Sequence, residues 1–308
     1  SSKNPVGKIR TYGKYGLIDQ VDYLQLRKSG YKIILGASCA LKVTKDGIVL
    51  PKKPIHELLN HINSYRKLVA KSSKKMSIVT TANDLPIANK STLSIILSIE
   101  GVYFIQNNED IKLIDTLYDL GVRVIGPFWN MQNALGGGGK NIQGLTPLGK
   151  KLIKYLNKKN IIIDGSHASP ATLRDIINIS KKPIIVSHTL SKTINNHYRN
   201  IEDDHIKMVC KKNGLIGICF IKDFAGGNSI NYVINHIKYL AKIGSMNNIA
   251  IGSDFGAMSA SDLIKGYETA SSINKLRTAL LKNGFGNNDI EKIMYNNALT
   301  FFKNNLPN

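Results

Sequence analysis

Cysteine is scarce in this chain: Cys39, Cys210 and Cys219 are the only three among 308 residues. They show no CxxC or CxxH spacing, which excludes a disulfide-stapled scaffold and a cysteine-rich zinc module. They read as small buried residues, as expected in a reducing, cytoplasmic compartment. Acidic side chains are also few, 21 against 42 Lys plus Arg, for a formal net charge of +21. Such an excess raises nucleic acid or an anionic membrane as partners. The distribution argues against both, because the lysines come as scattered doublets (52–53, 74–75, 158–159, 181–182, 211–212) without a stripe or interleaved aromatics. Abundant Ile and Asn beside Lys point instead to AT-rich coding. No apolar run approaches the roughly 20 residues of a membrane helix, and no leader pattern is visible. No nucleic-acid partner and no membrane span are expected, and a homodimer is left open.

What is present is a set of short aliphatic runs, four of which end in a side chain able to hold a metal or move a proton. SIILSIE ends at Glu100, IIIDGSH at His167, PIIVSH at His188 and IAIGSD at Asp254. Continuous Ile/Leu/Val runs of that length read as strands buried on both faces, as in a parallel sheet covered by helices. The full series is YKIILGA (31–37), MSIVTT (76–81), SIILSI (94–99), VRVIG (122–126), NIIID (160–164), PIIVS (183–187), LIGICF (215–220) and NIAIG (248–252).

Helical patterns separate these runs. Ser169-Pro170 and Thr146-Pro147 each supply an N-cap and a first-turn proline, while Gly121 and Gly214 stand where helices should end on a left-handed residue. The alternation predicts an α/β fold with a parallel sheet, a barrel of the (β/α) TIM type. One domain is expected over residues 1–308, with 38–75 as an insertion that is helical from about Pro54 to Lys71. In such a barrel the strand ends open on one face, where active sites are built.

Each candidate has a bland alternative. Glu100 could sit in a structural ion pair, either histidine could be a capping or core residue, and Asp254 could be an N-cap. Taken together, two imidazoles and a carboxylate at successive strand ends make a catalytic zinc site plausible. His56, His61, His197, His205 and His236 read as surface or packing residues. The GGGG run at 136–139 lacks the strand-to-helix setting of a phosphate loop and reads as a mobile loop beside the site.

Several blocks in order carry a family resemblance: SIEG at 98–101, GVRVIGPFWNMQNALGGG at 121–138, GLTPLGKKLI at 144–153, DGSHAS at 164–169, PIIVSHT at 183–189, HYRNIEDD at 197–204 and IGSDF at 251–255. They resemble the membrane (renal) dipeptidase family of the amidohydrolase superfamily. VDYLQLRKSG at 21–30 is similar to the segment before that family's second strand.

The resemblance implies a distorted (β/α)8 TIM-type barrel, whose first strand is missing or uncertain here because nothing before residue 31 reads as a strand. It also implies a zinc-dependent hydrolase with two metal ions that cleaves dipeptides, a small peptide substrate, some with a D-residue at the C-terminal position. It implies Glu100 as the carboxylate bridging the metals, and His167 and His188 as ligands of the second. By the same match Asp254 is the acid/base, Arg199 the grip on the substrate carboxylate, and Trp129 a substrate-binding residue. One departure stands out: the family's first strand ends in His-x-Asp, and no His-x-Asp occurs anywhere in this chain. The first metal position is therefore doubtful, which leaves two alternatives: an impaired member that binds a peptide-like ligand or partner, and a relative acting on another amide.

Overall fold

The computed structural model describes residues 20–44, 47–85 and 92–308. In chain order, α1 (Tyr23–Lys28) is followed by β1 (Ile33–Cys39), a hairpin of β2 (Lys42–Thr44) and β3 (Gly47–Val49), α2 (Pro54–Ala70), β4 (Met76–Ile78), β5 (Leu93–Glu100), α3 (Leu113–Asp119) and β6 (Val122–Gly126). Next come α4 (Pro147–Lys158), β7 (Ile162–Ile163), α5 (Pro170–Ile179), β8 (Ile185–Thr189), α6 (Asp203–Lys211), β9 (Leu215–Ile218), α7 (Lys222–Ala225) and α8 (Ile230–Ile243). β10 (Ile249–Ile251), α9 (Ile273–Lys282), α10 (Asn287–Glu291) and α11 (Asn297–Asn305) complete the chain. All eight aliphatic runs form strands, since a run apolar on both faces is stable only where both faces are covered.

Contact density groups the described residues into two units, 32–186 with 301–308 and 20–31 with 187–300; β8 runs across the division. In the first unit β1, β5, β6 and β7 form a parallel sheet, with β4 also on β5. One edge of β5 pairs with β1 along its length. Its other edge is shared, residues 93–95 with β4 and 97–100 with β6, and the register shifts between Leu97 and Ser98. Such an irregularity re-aims the residues beyond it. It leaves Glu100, at the end of the strand, between Cys39 and Gly126.

α2 contacts both β1 and β4 and buries Leu58 and Ile62, so it covers the sheet. α4 buries Leu152, Ile153 and Leu156, and α5 buries Leu173, Ile176 and Ile177, the stripe that a 3.6-residue period gives a helix lying on a sheet. The expected caps form: Thr146 Oγ1 accepts from Gly149 N and Ser169 Oγ from Thr172 N, both at 3.1 Å.

In the second unit β10, β9 and β8 form a three-stranded sheet in that order, β10 and β9 parallel, with α6 and α8 among its helices. One expected helix end is corrected here. Gly121 takes φ +100 as predicted, but after α6 the left-handed residue is Asn213 (φ 56), one position before Gly214. Asn tolerates that conformation, so the turn closes a residue early.

Candidate metal centre

In the first unit the C-terminal ends of β5, β6 and β7 converge. Glu100 is the last residue of β5, and its carboxylate Oε1 lies 2.6 Å from His167 Nε2. His167 follows β7 by four residues, is buried, and holds a left-handed φ of 64°. Its Nδ1–H donates to Asn130 Oδ1 at 2.9 Å, and its ring stacks on Trp129 with centroids 5.7 Å apart and planes 22° from parallel.

His188 lies on β8, which is joined to the β7 end by the Asp164–Ile185 bridge. Its Nδ1 is 2.9 Å from Ser187 Oγ, and its Nε2 accepts from Arg199 Nη2 at 2.7 Å. Ligand atoms of Glu100, His167 and His188 all lie within 4.8 Å of one another. One carboxylate and two imidazoles within that span are a donor set suited to a divalent transition ion. A metal taking His188 Nε2 would replace the Arg199 hydrogen bond, since both use the same lone pair.

In the second unit, Asp254 follows β10 by three residues and also has a left-handed φ, 59°. Among the described residues six non-glycine positions have positive φ, Ser73, Lys74, Asn160, His167, Asn213 and Asp254, and of these His167 and Asp254 follow strand ends. Backbone conformations that cost energy persist where their surroundings impose them, commonly at functional sites. The loop after Asp254 is pinned by buried Gln20, whose Oε1 accepts from Gly256 N at 2.6 Å and whose Nε2 donates to Met258 O at 2.7 Å.

Arg199 is buried, with its guanidinium carbon 5.5 Å from the Phe224 ring centroid. Its carbonyl accepts from Thr189 Oγ1 at 3.0 Å and its N–H donates to His197 Nδ1 at 3.2 Å. His197 stacks on the same Phe224, and burial, then the neighbouring Arg199 charge, lower its pKa.

Two thiols stand near these groups. Burial, then the Glu100 charge, push Cys39 up to about 12, and burial, with Asp254 adding, pushes Cys219 up to about 12. Burial thus disfavours the thiolate form of both.

The sequence reading put Glu100, His167, His188 and Asp254 at or just after strand ends, where the structure has them, but missed Asn130, Ser187, Phe224 and Gln20. These four have no periodicity or motif signal. It also misread the glycine run: residues 136–139 are buried, and the run is bonded to its neighbours by bridges from Gly136 to Asn133 and Leu145 and from Gly138 to Ala168. The five remaining histidines fit the packing and surface reading, with His205 and His236 buried and His56 exposed.

Parallel strands alternating with helices, with a Glu/His/His cluster at the strand ends, define a protein of the α/β class with a candidate metal centre. The chain belongs to the membrane dipeptidase family (peptidase family M19), whose model matches residues 15–306. Members of that family are metallo-hydrolases acting on peptide bonds.

Among relatives, an uncharacterized dipeptidase of Schizosaccharomyces pombe is 26% identical over 308 residues, covering 94% of this chain and 73% of the relative. Two solved structures share the fold. One is the metallopeptidase dipeptidase AC, also of family M19, with TM-score 0.84, 18% identity and coverage of 96% and 92% of the two chains. The other is a metallopeptidase from Rhodobacter sphaeroides liganded with a phosphinate mimic of the dipeptide L-Ala-D-Ala, with TM-score 0.84, 18% identity and coverage of 93% and 90%.

Proposed function

We propose that this chain is a zinc dipeptidase that cleaves the amide bond of short peptides carrying a free C-terminal carboxylate. The observation that carries the reading is the convergence of Glu100, His167 and His188 ligand atoms within 4.8 Å. These three residues would hold the ion, His167 and His188 through neutral imidazole nitrogens and Glu100 through its carboxylate. When bound, zinc supplies Lewis acidity, polarising a carbonyl and making a coordinated water easier to deprotonate.

The chain's own residues do the rest. Asp254, held in a strained conformation by the loop that Gln20 pins, accepts a proton from the attacking water at a carboxylate oxygen and returns it to the leaving amine. Arg199, braced on Phe224, presents a guanidinium whose fork matches a carboxylate, which selects peptides with a free C-terminus and orients the scissile bond. Trp129, stacked on His167, gives the substrate a rigid apolar wall beside the coordinating ring and limits the approach of water.

The experiment is elemental analysis for zinc on the wild-type chain and on His167→Ala and His188→Ala, with hydrolysis of a panel of L,L and L,D dipeptides. Metal bound by the wild type and lost from both variants, together with dipeptide hydrolysis, is the expected result. Equal zinc in all three proteins would sink the proposal. A second reading, that the chain binds a peptide-like ligand with little turnover, is favoured by one observation, the absence of His-x-Asp from its 308 residues. A protein that binds a dipeptide and one metal, and does not hydrolyse the dipeptide, would decide for it.

A further inference from the structure

The structure joins the glycine run, which the proposed chemistry does not use, to the orientation of a coordinating histidine. We propose that residues 129–138 form a bracket that sets His167 for coordination through Nε2, with Asn130 as the positioning residue and the tetraglycine segment as the spacer that lets it dock. The inference rests on the reading of His167 as a metal ligand.

Three observations carry it. First, a carboxamide oxygen can only accept a hydrogen bond, so the 2.9 Å contact with Asn130 Oδ1 assigns the hydrogen to His167 Nδ1 and turns Nε2 toward Glu100, 2.6 Å away. A histidine ligand whose second nitrogen is held by a fixed acceptor keeps its tautomer and ring angle. Second, the segment carrying Asn130 lies directly on the glycines. A Cβ on Gly138 would collide with the carbonyl oxygens of Trp129 and Met131, and Lys140 N donates to Asn130 O at 3.2 Å. No other residue type allows the backbones this approach.

Third, the same glycines grip the far side of the histidine. Gly138 bridges Ala168, and Ser169 N donates to Gly137 O at 3.0 Å, immediately after the left-handed His167. The glycine run is thus bonded to the residues that follow His167 and packed against the backbone that carries Asn130, and Trp129 adds a stacked face to the ring. Each device acts on the angle of the imidazole.

The test is metal affinity and ligand orientation in the full chain, measured by competition titration with Zn2+ and Co2+ and by 15N NMR of the zinc-loaded protein. Asn130→Leu removes the acceptor and Asn130→Asp keeps one. The expected result is a loss of metal affinity of about 10- to 100-fold in Asn130→Leu, largely restored in Asn130→Asp. The Co2+ absorption spectrum should change in the first variant only. Zinc-loaded wild type should show His167 ligated through Nε2 with a protected Nδ1–H signal.

That last measurement needs no variant, so it decides even where Asn130→Leu fails to fold: ligation through Nδ1 overturns the proposal. Metal affinity in folded Asn130→Leu within about twofold of wild type also overturns it. If that occurs while His167→Ala loses the metal, the metal site stands and only the bracket is wrong. If His167→Ala keeps full affinity, the metal reading fails and the bracket falls with it.

Discussion

His236 offers a sharp test of the second unit, because it is fully buried and holds the turn that follows β8. Its Nδ1 accepts from Ser191 N at 3.0 Å and its Nε2 donates to Ala225 O at 3.2 Å, an arrangement that only the neutral ring can make. Burial, the dominant cause, lowers its pKa to about 4 from the ordinary 6.5.

The sign follows from proton binding. Between pH 6.5 and about 4 the unfolded chain takes up a proton that the folded chain refuses, so stability is full above 6.5 and falls as the pH drops through that window. At about 1.36 kcal/mol per pH unit, about 2 kcal/mol is lost by pH 5 and about 3 kcal/mol by pH 4. His236→Gln keeps one acceptor and one donor in the same place but cannot titrate, so it removes this dependence and leaves that of every other group. The assay is urea unfolding of both proteins at pH 7.5, 6, 5 and 4. The wild type should lose about 3 kcal/mol more than the variant across the series. Profiles that stay parallel to within about 0.5 kcal/mol, the spread expected of an independent site, would refute the reasoning.

Asp254→Asn should lower kcat by about 10²- to 10⁴-fold, the usual worth of a positioned acid/base, with zinc content unchanged; wild-type turnover would remove Asp254 from the chemistry. Arg199→Ala should raise KM for dipeptides about 10- to 100-fold, as loss of a charge-assisted bidentate contact does, and a dipeptide amide lacking the carboxylate should not feel the change; steady-state kinetics on the two substrates checks it. Fewer than two zinc ions should bind per chain, because the first position expected for the family lacks its His-x-Asp ligands, and a catalytic zinc normally has three protein ligands. Two full equivalents by elemental analysis would show that another residue completes that position.

The strands, the caps at Thr146 and Ser169 and the positions of Glu100, His167, His188 and Asp254 at strand ends were all legible in the sequence. The reason is physical: a run apolar on both faces has few stable environments, and a cap or turn residue acts on backbone groups within a few positions of itself. The family, too, could be read from ordered blocks of residues. Tertiary structure alone decided the rest. The pairing of β1, β4 and β6 on β5 depends on hydrogen bonds between segments far apart in the chain, and with it the aim of Glu100 past the shift at Leu97. Gly138 looked like part of a mobile loop, since glycine is equally at home where chains are loose and where two backbones touch; only the close approach to Trp129 and Met131 distinguishes the cases. Asn130 and Gln20 act through contacts spanning 37 and 236 positions. No local pattern can encode such a pairing, because it exists only once packing has brought the two segments together.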